Sequence, residues 1–190
     1  IDGVDYRERS QLWLHSQIGY VLQSFYMFFG TVRENIRFGR LDASDQEVEE
    51  AARQVSADAA AARLEHGYES NVGESGGRLS VGEKQLILFA RAILADPAVF
   101  VLDEATSSIA AETEQLIQKA IRHVLKGHTS FIIAHRLSAI GQADLILVVK
   151  DGRSIKQESH EELLKQEGYY YDLYFRQFEE EAAMQVFKEG

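Results

Sequence analysis

The sequence predicts an α/β fold, a parallel β-sheet core with a helical lobe inserted into it. Three observations predict this. Four short apolar runs, IGYVL (Ile18–Leu22), VFVL (Val99–Leu102), SFIIA (Ser130–Ala134) and LILVV (Leu145–Val149), read as buried strands. Helical segments alternate with them, the order that builds a parallel sheet. The stretch from about Leu41 to Gly77 has helix signals but no strand run, as an inserted lobe would.

Each helix has its own justification. Ser44 with Glu47 forms a capping-box pattern ahead of EVEEAARQVSADAAAARL, whose Val48, Ala52, Val55 and Ala59 share one side. Ser80 with Glu83 repeats the pattern ahead of KQLILFARAIL, which Pro97 stops. In AETEQLIQKAIRHVLK, Leu116, Ala120 and Val124 run beside Ile117, Ile121 and Leu125 at helical spacing. Asp151-Gly152, between LILVVK and RSIKQ, is a hairpin turn. Ser159 with Glu162 caps a further helix, and Tyr170, Leu173 and Tyr174 then form an aromatic stripe suited to packing.

Composition removes several classes of function. Thirty acids against twenty bases give a net charge of −10 and disfavour a nucleic-acid surface. With no cysteine, disulfides, thiolate chemistry and zinc–sulfur sites are ruled out, and a reducing compartment is permitted. The apolar runs Ala98–Leu102 and Leu145–Val149 are far too short to span a bilayer. The chain begins IDGVDYRERS, without initiator methionine or signal-peptide pattern, and reads as a fragment.

In open parallel sheets, ligands gather beyond the carboxyl ends of the strands. Gln23 follows IGYVL, Asp103-Glu104 follow VFVL and His135 follows SFIIA. Asp103 suits a magnesium ion, which favours oxygen ligands, and Glu104 suits a general base worth roughly 10²–10⁴ in rate. His135 suits contact with a departing phosphate. Taken singly, the acid pair also reads as a solvated strand terminus and His135 as a core residue. Ser80 caps a helix whose first-turn amides attract anions, and Gly82 keeps side-chain bulk away from them. An ordinary capped helix has the same spacing.

Together these stretches resemble the nucleotide-binding domain of an ATP-binding cassette transporter, most similar to the exporter branch. LSVGEKQ resembles the family's signature motif, AVFVLDE its Walker B strand with the catalytic glutamate, and ATSSIA its D-loop. YVLQ matches the Q-loop and FIIAHRLS the switch-histidine segment, while FFGTVRENI, HGYESNVGESG and HEELLKQEGYYYDLY resemble exporter sequence in their places. The likeness runs from the first residues to about Phe178.

The resemblance implies a partial P-loop NTPase fold with an inserted α-helical subdomain at about 41–95, a Walker B and switch-histidine part at 96–178 and an acidic tail at 179–190. It implies ATP and Mg²⁺ as ligands. Asp103 would help hold the metal, Gln23 would reach metal and water, Glu104 would polarise the attacking water, and His135 would contact the γ-phosphate. Ser80 and Gly82 would contact ATP held by a second nucleotide-binding domain in a head-to-tail dimer. The partner in the membrane would be a transmembrane domain outside this chain, with the ATPase on its cytoplasmic side.

No G-x-x-x-x-G-K-[ST] loop occurs in the 190 residues. In the family that loop lies upstream, so the chain is expected to begin after it, to bind ATP weakly or not at all alone, and to be unstable or self-associating. Three positions depart from the family pattern. Val81 stands for a signature glycine, Ala110 for a D-loop aspartate, and Glu158 for a glycine at the surface; the first two suggest one weakened site in an asymmetric pair. A non-catalytic interaction module and a DNA-repair ATPase are the alternatives; the second usually carries a long coiled coil, and no sustained heptads occur here.

Overall fold

Continuous apolar runs separated by helical segments leave a chain few options but to stack strands side by side. The computed structural model describes residues 3–21, 26–103, 111–133 and 143–188, with the backbone alone at 111–112 and 180–188. They fall into two compact units, Ile1–Ile133 and Ala134–Gly190.

In the first unit β1 (Ile18–Val21), β2 (Val99–Asp103) and β3 (Thr129–Ile133) form a parallel sheet in that order. Ile18 pairs with Val99 and Val99 with Thr129, so the strands start level. They lie side by side. What stays open among the described residues is the outer edges and one face. Alternation decides which face. Val21, Phe100 and Leu102 point into the core, whereas Tyr20, Phe131 and Ile133 on the other side are more than half exposed.

The covered face meets a helical layer. A short α1 (Gln11–Ser16) precedes β1; then come α2 (Val32–Arg37), α3 (Asp45–Gln54), α4 (Ala57–Ala62), α5 (Val81–Ala95) and α6 (Ala111–Leu125). Helix α5 is the hub, packing against α2, α3, α4, α6 and β1. It is buried on most sides, with Ile87 and Phe89 almost wholly enclosed. The α6 stripe is real. Ile117, Ala120 and Val124 are buried with Phe100 and Leu102, and Leu116, Ile121 and Leu125 flank them.

The alanine-rich segment is two helices, not one. Ser56 takes a left-handed φ of 62° and separates α3 from α4. The reason is the second apolar stripe. Val48, Ala52 and Val55 face the core, but Ala57, Ala60 and Ala61 would point about 170° away on a continuous helix. The break turns them inward and leaves Ala59, expected inside, exposed. A capping box not anticipated, Thr31 with Glu34, starts α2.

The second unit is built on the hairpin of β4 (Ile146–Lys150) and β5 (Arg153–Glu158), turned by Asp151 and Gly152 with φ of 50° and 73°. Two helices follow, α7 (His160–Lys165) and α8 (Tyr169–Lys188). Val148, Leu163 and Tyr170 form a small core with Ile146, Leu164 and Tyr174 at its margin. Leu173, read into the aromatic stripe, is instead 40% exposed, and His160 takes its place with Nδ1 2.7 Å from the Tyr170 hydroxyl. Glu158 is not a bare surface residue: it is half-buried and accepts from the Gln166 amide. No helix among the described residues is long and apolar enough to cross a membrane.

Candidate functional site

Parallel pairing brings the carboxyl ends of three strands to one edge. Val21 lies opposite Leu102, and Asp103, the last residue of β2, lies opposite Ile133. Asp103 is half-buried on the open face of the sheet, alternating with Leu102, which faces the core. Gln23, Glu104 and His135 stand two, one and two positions beyond Val21, Asp103 and Ile133 in sequence and lie outside the described residues, as does Ala110. Among the described residues no cluster of three or more His, Asp or Glu can hold a metal ion. A magnesium ion shared with a nucleotide needs only one or two carboxylates, so Asp103 at a strand end fits that use.

The second half of the site is the tip of α5. The Ser80 amide donates to Glu83 Oε2 at 2.8 Å, and the Glu83 amide donates back to Ser80 Oγ at 3.3 Å. At Ser44 and Ser159 the capping hydroxyl also donates to its glutamate, at 2.7 and 2.6 Å. At Ser80 no such bond is made among the described residues. The other Glu83 oxygen is engaged by Arg63, an ion pair across the loop joining α4 to α5 that sequence spacing gave no sign of. Ser80 therefore keeps a hydroxyl proton to give to a ligand.

Around this tip, Ser80 is exposed and Val81 is 45% exposed. The Val81 and Gly82 amides, first in the helix, make no backbone bond among the described residues. Gly82 itself is buried, so its lack of a side chain serves packing as well as access. Lys84 reaches back to the Ser75 carbonyl at 3.0 Å and pins the preceding turn. The arrangement offers one hydroxyl donor, two open amides and the positive end of a 15-residue helix, which together suit an anionic oxygen.

Residues 1–107, which include β1, the whole of α5 and Asp103, match the family described as ABC transporter. The chain belongs to that family. An uncharacterized ABC transporter ATP-binding protein, YfiC, of Bacillus subtilis is 51% identical over 94% of this chain and 30% of its own length. A fatty acid ABC transporter ATP-binding/permease protein of Mycobacterium bovis is 50% identical over 91% of this chain and 27% of its own. The solved structure of a bacterial Atm1-family ABC exporter with ATP bound superposes with a TM-score of 0.84 at 41% identity. It covers 93% of this chain, which spans 31% of that one. The chain thus spans about 30% of the length of the ABC transporter proteins it matches. The mixed parallel-sheet architecture agrees with a P-loop NTPase fold of the exporter type.

Proposed function

We propose that these residues form the ATP-binding and hydrolysing part of an ABC exporter that works on the cytoplasmic side of a membrane. The observation that carries this is the pairing of two features in one ABC chain: strand ends aligned at Asp103 and an exposed, open-amide tip on α5.

In this reading Asp103 and Gln23 hold Mg²⁺ with the nucleotide. The metal, when bound, neutralises charge on the transferring phosphoryl group. Glu104 takes the proton of the attacking water, and His135 donates to the γ-phosphate. Ser80 and the amide of Gly82 face a different ATP, held by a second nucleotide-binding domain in a head-to-tail dimer. Gln23 relays nucleotide state to a transmembrane domain. Val81 adds exposed bulk at the α5 tip, which supports a weakened composite site on that side.

Without a G-x-x-x-x-G-K-[ST] segment, the 190 residues alone lack the lysine and loop amides that cradle the phosphates. They are expected to bind ATP weakly or not at all, and that gap supports the second reading, an interaction module. The test is ATP turnover. In the intact transporter Glu104→Gln is expected to lower kcat by about 10²-fold or more, and the isolated 190 residues are expected to show none. Glu104-dependent turnover by the isolated chain would refute the account of the missing cradle, and indifference of the intact protein to the substitution would refute the role of Glu104.

A further inference from the structure

Arg91 lies eleven residues along α5 from Ser80, about 16 Å by helical rise, and is far from an ordinary surface cation. Its Nε donates to the Asn35 carbonyl at 2.8 Å, one terminal nitrogen to Asn35 Oδ1 at 3.1 Å, and the other to the Tyr26 carbonyl at 3.3 Å. The guanidinium carbon also sits 5.1 Å from the centre of the Phe28 ring and 6.0 Å from that of Phe38. No carboxylate pairs with it among the described residues. Burial pushes its pKa down to about 10, and three carbonyl-type acceptors keep it charged at neutral pH.

Asn35 completes the arrangement. It is wholly buried, and its side chain clamps the Phe28 backbone from both sides, accepting from the Phe28 amide at 2.9 Å and donating to the Phe28 carbonyl at 3.0 Å. Its amide nitrogen also donates to the Thr31 carbonyl at 2.9 Å. Two donors meet one end of the amide and two acceptors the other, so its orientation is fixed. The segment just after α2 also approaches α5 closely: a Cβ on Gly39 would collide with the Arg91 carbonyl.

We propose that Arg91 is a positioning residue that fixes the Tyr26–Phe28 backbone, just past Gln23 in sequence, to α5, so that the α5 tip and this segment shift as one body. The proposal rests on the reading of the α5 tip as nucleotide-facing for its consequence, but not for its geometry. A buried cation with no acid partner is costly; an apolar side chain would fill the same space. Retention of an arginine there is explained by the three acceptors it joins. The polar network gives two separate segments a single defined arrangement, the kind of two-element link through which coupling can travel.

The test uses the intact transporter carrying Arg91→Met, which keeps length and apolar contact with Phe28 and Phe38 but removes every hydrogen bond. Hydrogen exchange at the Phe28 amide is expected to speed up about tenfold or more, while the melting temperature holds or rises. The kcat for ATP is expected to fall with KM within twofold, and Arg91→Lys to lie between, since one ammonium cannot span both Asn35 and Tyr26. Unchanged Phe28 exchange in Arg91→Met would overturn the proposal. So would faster exchange spread evenly over the protein with a lowered melting temperature, which marks a plain stability role. If the wild-type protein shows no Glu104-dependent turnover, the ATPase reading fails, while the exchange result still decides the role of Arg91.

Discussion

The helical layer of the first unit and the sheet it covers are finished to different degrees. In the helices, Val32, Ile36, Val48, Ala52, Ile87 and Phe89 are enclosed almost completely, and four helices converge on α5. Even its polar residues are tied in, Glu83 to Arg63 and Asn35 to Arg91. Among the described residues the sheet is covered on one face only. On the other, Tyr20, Phe131 and Ile133 are 56, 53 and 52% exposed, and β3 alternates exposed and half-buried residues without one that is buried. The difference separates contacts completed among the described residues from a face they leave open.

The largest effect that sharpens this contrast is a pair of truncations. Phe89→Ala should cost about 3–5 kcal/mol, because the ring is fully enclosed at the hub, whereas Phe131→Ala should cost under about 1 kcal/mol, because only half of its surface is buried. Amide exchange in α5 against that in β3, with each substitution, measures both. Equal losses would show that the open face is as well packed as the hub. Next in size is association. The 190-residue chain is expected to self-associate through the exposed sheet face, and Phe131→Lys with Ile133→Lys to reduce that association severalfold in sedimentation velocity. A chain that stays monomeric before substitution would show that the exposed face is inert.

How far the sequence revealed this depends on the range of the interaction. Strands β1 to β4 were legible as apolar runs, shifted by a residue at most, but the runs do not mark burial throughout: β3 has no buried residue and β4 only Val148. Three capping boxes were legible because Ser and Glu three apart satisfy backbone groups locally; Thr31 and Glu34 carry the same signal and were overlooked. The break at Ser56 was not legible, since alanine fits either side of a helix and only the tertiary core decides which stripe turns inward. Arg63 and Arg91 were invisible for a related reason. Their partners lie 20 and 56 residues away, and an arginine in a helix pattern reads as a solvated position. Of the candidate site, Asp103 and Ser80 take the local places their motifs predict, a strand end and a helix cap, while Gln23, Glu104 and His135 lie outside the described residues.

The smallest expected effect belongs to the second unit, whose core is small enough for one phenol to register. Tyr170 is buried against His160 and Tyr174, and that burial pushes its pKa from the usual 10 up to about 12. Between those values the folded unit holds a proton that the unfolded chain releases, so ionisation favours the unfolded state and stability falls as pH rises from 10 toward 12. Below 10 both states are protonated and the contribution is intact. Other groups titrate in that window, so the readout is a difference: the melting temperature of the wild type should decline more steeply from pH 9.5 to 11.5 than that of Tyr170→Phe. A substituted protein with the same slope would show that the phenol is hydrated in the folded state, and that the second unit, unlike the helical layer around α5, has no closed core of its own.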